Sequence, residues 1–162
     1  MPKLPPKGAL SAALVLAVAA CMSAAPPPAT APAPTGFVIS TQLPNGAVEI
    51  SIATSYALGR TATIPVTVSA TRGTVTAPIT ARILASGIGD ANVPSEVLVR
   101  DLKVTPVTAS ANGRASTTLS WDTRDAKGTL VPADAYSLVL EVRSEDAGAV
   151  RTFTATATLD VH

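Results

Sequence analysis

The sequence predicts an all-β fold, an antiparallel β-sandwich of seven or eight strands spread over residues 37–162. Three observations lead there. Helical periodicity is absent from that segment, and apolar side chains alternate with polar ones instead. Gly, Pro and Asn-Gly signals cut the alternation at the spacing expected of short paired strands. Aromatics make up only 3% of the 162 residues while Ala, Thr and Val dominate, so the inward faces are rich in alanine and the core is adequate but thin.

The chain opens differently. Lys3 and Lys7 precede an uncharged apolar stretch of 12 residues, Ala9 to Ala20. That is too short to span a hydrocarbon core of about 30 Å as a helix, and it has the anatomy of a secretory signal. It ends Val18-Ala19-Ala20-Cys21, and Cys21 is the sole cysteine. This run resembles the lipobox of bacterial lipoproteins: a branched apolar residue, two small ones, then cysteine. The resemblance implies cleavage before Cys21, a diacylglycerol on its thiol, and a further acyl group such as palmitate on its amine. Several acyl chains give a stable membrane anchor, since each buried CH₂ contributes about 0.8 kcal/mol. Met22, which is not aspartate, then implies sorting to the outer membrane in a host with two membranes. The alternative is ordinary signal cleavage after Ser23, which leaves Ala24 as the first residue. Ala24 to Pro34 reads AAPPPATAPAP, a semi-rigid tether of about 30–40 Å or, less simply, a Pro-rich ligand. The expected organisation is a signal peptide over 1–20, a lipidated cysteine and linker over 21–36, and one β domain over 37–162.

Within that domain, Leu43-Pro44-Asn45-Gly46 is a turn that folds Phe37–Thr41 back on the next strand, whose Val48, Ile50 and Ile52 share a face. Ile64, Val66 and Val68 mark a further strand, and Pro65 inside it argues for a sheet edge or a bulge. Arg72-Gly73 is a turn. Ile79, Ala81 and Ile83 alternate until Gly87-Ile88-Gly89-Asp90 breaks the chain. Val97–Val104 reads as a strand with Leu98, Leu102 and Val104 on one face; Arg100 shares their parity, which again asks for a bulge or an edge. After the Asn112-Gly113 turn, Ala115, Thr117, Leu119 and Trp121 line one face. Tyr136, Leu138, Leu140 and Val142 follow on the next strand. Phe153, Ala155, Ala157, Leu159 and Val161 end the series, alternating with four threonines. Trp121 is expected at the centre of the core, with Tyr136 and Phe153 near it.

Between two of these strands the chain reads WDTRDAKGTLVPADAY, Trp121 to Tyr136. Trp121, Asp122, Asp125, Gly128, Val131, Pro132 and Tyr136 match a signature of Ig-like domains found in flagellar hook-capping proteins, in proteinase inhibitors of the bacillus intracellular type and in bacterial surface proteins. The resemblance implies an Ig-like sandwich, and its family spans structural and binding roles. Thr123 and Asp134 stand where that family has glycine. Asp134 is the replacement better suited to left-handed backbone geometry. Asp122 and Asp125 are expected to accept backbone N–H bonds in a tight loop. A calcium site there is the lesser reading, because the loop lacks closely spaced oxygen ligands.

Charge and chemistry narrow the function. With Lys3 and Lys7 removed, 10 basic residues face 11 acidic ones, and the arginines are scattered, so nucleic acid is not an expected partner. His162, the only histidine, is the last residue and is expected to fray, which leaves no histidine-based catalytic or metal centre. Glu145 and Asp146 read as a solvated hairpin tip. We expect no enzyme, no catalytic residues, no metal and no cofactor. The partners expected are the membrane, through the lipid, and an envelope protein or polysaccharide. The strands between Ile79 and Val104 and the loop Gly87–Pro94 are the expected contact surfaces. A secreted proteinase inhibitor presenting Gly87–Pro94 or Ala126–Pro132 is the alternative, and a hydrolase using Asp122 or Asp90 is a third.

Overall fold

The computed structural model describes residues 36–88 and 94–162. Cys21, the apolar stretch, the Pro/Ala segment and Asp90 lie outside the described residues. Among the described residues nine strands form two antiparallel sheets, a β-sandwich: β1 Gly36–Leu43, β2 Gly46–Ala53, β3 Ala62–Ala70, β4 Thr74–Ile88, β5 Pro94–Asp101, β6 Val107–Ser110, β7 Gly113–Trp121, β8 Asp134–Asp146 and β9 Ala149–Val161. The first sheet runs β1-β2-β3-β7. The second runs β5-β4-β8-β9, with β6 also paired to β4.

Period-2 patterning decides which faces meet. Val48, Ile50, Ile64, Val66, Val68, Leu138, Leu140, Val142 and Leu159 are wholly or almost wholly buried between the sheets. Thr152, Thr154, Thr156 and Thr158 stay exposed on the outer face of β9. Two turns behave as expected. Pro44-Asn45 joins β1 to β2, and Ala147-Gly148, both at positive φ (50° and 81°), joins β8 to β9.

Pro65 is a correction. It lies on β3, an internal strand, and pairs with Thr118 without a bulge. What yields instead is the neighbouring ladder. The Thr71 N–H donates to the Asn45 carbonyl (2.8 Å), so odd-numbered residues of β2 and β3 exchange the bonds between these strands. The next exchanging pair would be Ser51 and Pro65, and Pro65 has no N–H. The β2–β3 register stops at Ile50–Val66, and β2 continues against β1 alone. A notch of about 450 Å³ opens there, lined by Phe37, Val38, Ile52, Tyr56 and Pro65 among others.

Four further expectations change. The predicted strand Val97–Val104 is Pro94–Asp101, and it is both an edge and bulged: Ile83 pairs with Arg100, whereas Leu84 pairs with Leu98. The extra residue, Val99, reverses the parity, so Leu98 is 52% exposed while Leu102 is buried. β6 had no sequence counterpart, being only four residues long. Phe153 pairs with Val142, whereas Tyr136 pairs with Leu159 six residues along β9. That separates Phe153 from the Trp121 region by about 20 Å. Finally, the backbone of His162 does not fray. Its N–H donates to the Tyr56 carbonyl (3.0 Å) and its carbonyl accepts the Leu58 N–H (3.1 Å).

At one end of the sandwich a buried amide joins the sheets. Asn45 is fully buried, and its Nδ2 donates to the carbonyls of Arg72 (3.1 Å), Thr74 (3.2 Å) and Glu145 (3.2 Å). Its Oδ1 accepts from the Ser144 hydroxyl (2.6 Å). Among the described residues no buried side-chain polar atom lacks a partner.

Candidate functional site

The opposite end holds the Trp121–Tyr136 segment. Trp121 ends β7 with its ring turned inward, and Tyr136 lies in the first turn of residues of β8. Their rings meet edge to face, 5.4 Å between centroids with planes 70° apart. The indole Nε1 donates to the Arg124 carbonyl (2.9 Å), and the Tyr136 hydroxyl donates to the Pro132 carbonyl (2.8 Å). Burial raises the Tyr136 phenol above its ordinary value, and the Asp134 carboxylate adds to the shift. Burial likewise raises Tyr56, against a smaller opposing effect of the Ala53 N–H that its oxygen accepts.

Both aspartates serve the loop. Asp125 Oδ1 accepts the N–H groups of Lys127 (2.9 Å) and Thr129 (2.8 Å), and the Gly128 N–H closes the turn on the Asp125 carbonyl (3.1 Å) at φ +83°. Asp122 Oδ1 accepts the Arg124 N–H (3.3 Å) and Nη1 of Arg100 (2.8 Å). The same Nη1 reaches the Asp125 carbonyl (3.3 Å). This explains a cation on β5 at an otherwise apolar parity: the bulge aims it across at the loop. Among the described residues no group of three His, Cys, Asp or Glu side chains is arranged to hold a metal ion.

Left-handed geometry falls on the other glycine replacement. Thr123 has φ +54°, while Asp134 is not at positive φ. A β-branched residue there costs about 1–3 kcal/mol unless its surroundings hold it. They do so through three bonds. Thr123 Oγ1 accepts the Gly59 N–H (2.8 Å) and donates to the Asp122 carbonyl (2.8 Å), and the Thr123 carbonyl accepts the Val131 N–H (3.0 Å). Thr123→Val keeps the shape of a fully buried side chain but removes both hydroxyl bonds, that from the N–H of Gly59, itself an exposed residue, and that to the Asp122 carbonyl. The expected loss is about 1–3 kcal/mol, read from the urea midpoint; an unchanged midpoint would show that the hydroxyl contributes nothing.

Beside this loop runs the outer edge of β5, which pairs with no strand among the described residues. A groove of about 680 Å³ lies between them, lined by Leu98, Leu130, Ala85, Asp125, Lys127 and Asp134 among others. Val97, Leu98 and Leu130 are 53%, 52% and 46% exposed. The expected contact region around Ile79–Val104 thus resolves into β4 and the β5 edge, while residues 89–93 of the expected loop lie outside the described residues. Sequence reasoning missed Arg100 as a loop anchor, Leu130 as a groove wall and Asn45 as a buried clamp. Only Arg100 left a signal, its odd parity. No protein-family model matches the chain, and no curated protein matches it.

Proposed function

We propose that the chain is a non-catalytic lipoprotein of the bacterial cell envelope. In this reading a diacylglycerol on Cys21 holds it in the membrane, and the Pro/Ala segment spaces the domain from the surface. The sandwich then binds an envelope protein or polysaccharide, or serves as a structural element of the envelope. The observation that carries the binding role is the β5 edge, where apolar side chains stand exposed beside an open groove. The anchor is supported by the sequence from Leu14 to Cys21. A non-catalytic body is supported by the loop aspartates, whose Oδ1 atoms are occupied by backbone and arginine donors.

Strand order supports the Ig-like expectation. Reading β2, β3 and β7 as strands A, B and E, and β4, β8 and β9 as C, F and G, follows the Ig-type division for these six strands, while β6, at the place of strand D, pairs with β4 of the second sheet. The Tyr136 hydroxyl bonds back to a carbonyl four residues upstream, near the start of the penultimate strand, as the tyrosine corner of such domains does.

Fractionation of cells making the full chain tests the anchor. Wild type is expected with the membranes, its mature N-terminus carrying the mass of acyl chains, and Cys21→Ser in the aqueous fraction. An unmodified start at Ala24 would overturn the reading. A protease-inhibition assay on the full chain separates it from the inhibitor alternative, since clear inhibition would replace the proposed role.

A further inference from the structure

We infer that the outer edge of β5, with the groove beside it, takes an extended polypeptide segment carrying basic side chains, added as a further strand of the second sheet. This rests on the binding role proposed above and names its site and partner class. Backbone geometry comes first. The Leu102 N–H donates to the Ala81 carbonyl (2.8 Å), so odd-numbered residues of β4 face β5. Ala85 and Gly87 therefore exchange bonds with Val97 and Ser95, their register partners. The N–H and C=O groups of Glu96 and Leu98 point away, toward a side where no strand among the described residues pairs. Just beyond them the Val99 carbonyl accepts the Ala126 N–H (3.0 Å). The loop thus already takes a neighbouring strand's place at Val99 and marks where an added strand ends.

Side chains then select the occupant. Natural sheet edges are blunted by bulges, lysines or a covering loop. Here the bulge and the Ala126 contact protect only the C-terminal half of β5, and the open half carries exposed Val97 and Leu98. The groove brings Leu130 opposite for an apolar side chain of the incoming segment. Its charge is lopsided. Asp125 and Asp134 line the groove with Lys127 as the one lining cation among the described residues, and Glu96 stands exposed on the edge. Arg100 and Arg124 are committed to Asp122 and to the Gly128 carbonyl (2.7 Å). An extended chain with alternating basic and apolar residues satisfies the backbone groups, the apolar wall and the acidic surplus together.

The test uses the full chain and two probes, a fluorescent hexapeptide of alternating lysine and valine and its glutamate counterpart, followed by anisotropy and amide exchange. The lysine peptide is expected to bind, more weakly as salt rises, and to slow exchange at Glu96 and Leu98. Leu98→Pro removes one outward N–H without breaking a bond to β4, so the β4–β5 ladder is expected to stay intact. Its affinity for the lysine peptide is expected to fall about tenfold or more. Should Leu98→Pro unfold, Glu96→Lys serves instead and is expected to weaken the lysine peptide while admitting the glutamate one. Equal binding of the two peptides by wild type, binding of neither, or undiminished binding by folded Leu98→Pro would overturn the inference. So would a dimer of the chain that Leu98→Pro dissolves, which would give the edge to a second copy. Lysine-peptide binding that survives Leu98→Pro sinks this site but leaves the binding role standing, and the fractionation result is independent of both.

Discussion

Asn45→Ala is expected to lower the stability of the domain by about 3–5 kcal/mol, a large share of what a domain of this size possesses. The reason is geometric. The side chain is fully buried, and its amide satisfies three carbonyls that belong to different stretches of chain: Arg72 and Thr74 around the start of β4, and Glu145 near the end of β8. Truncation takes the side-chain donor from all three carbonyls, of which Thr74 and Glu145 keep each other as register partners in the β4–β8 ladder, and it leaves the Ser144 hydroxyl without its acceptor. Each buried orphan costs about 1–3 kcal/mol, and water reaching the end of the sandwich recovers part of the total. Asn45→Asp sharpens the test, because it keeps the volume but points an anion at carbonyl oxygens. Its folded carboxyl is therefore raised above the unfolded value, so the deficit is greatest at neutral pH and shrinks as pH falls through that raised value. Urea denaturation at two pH values measures both effects. A midpoint unmoved by Asn45→Ala would show that the clamp adds nothing to stability.

Trp121→Ala is the second large effect, also about 3–5 kcal/mol. Trp121 is the largest of the fully buried side chains, 1% exposed, and packs on Tyr136. Its loss leaves a void in a core where Ala62, Ala77, Ala81, Ala155 and Ala157 cannot extend to fill it. It also takes from the Arg124 carbonyl the shorter of its two side-chain donors, leaving Arg100 Nη1 at 3.5 Å, and loosens the loop. Trp121→Phe retains part of the packing but not the donor, so about half the loss is expected. Circular dichroism follows both unfolding curves, since the intrinsic indole signal is absent from the variants. Equal stability for Trp121→Ala and wild type would contradict a core centred on this residue.

Much of the sandwich was legible because its signals are local. Val48-Ile50-Ile52 and Tyr136 through Val142 display their faces within a few residues, and Pro44-Asn45 and Ala147-Gly148 announce hairpins by turn chemistry. What stayed hidden depends on distance or on a single inserted residue. Asn45 reads as turn punctuation, and its clamp exists only because Glu145, 100 residues later, comes beside it. One residue, Val99, turns Leu98 from a predicted core position into an exposed edge. Pro65 was legible as a missing donor, but the sequence could not tell which of two neighbouring ladders would lapse. In the loop, the aspartate roles followed from spacing, whereas the left-handed residue was Thr123 rather than Asp134. Its compensation arrives from Gly59, 64 positions away.

The parting of β2 from β3 at Pro65 has a mechanical consequence. Tension arriving at Gly36 loads a two-stranded ribbon, Gly36–Val38 against Ser51–Ala53, that has no third strand behind it among the described residues. The Tyr56 hydroxyl on the Ala53 N–H (3.0 Å) is a single stitch at its base. Such a ribbon is expected to part at smaller extension than the strands beyond Val66, which are laddered on both sides.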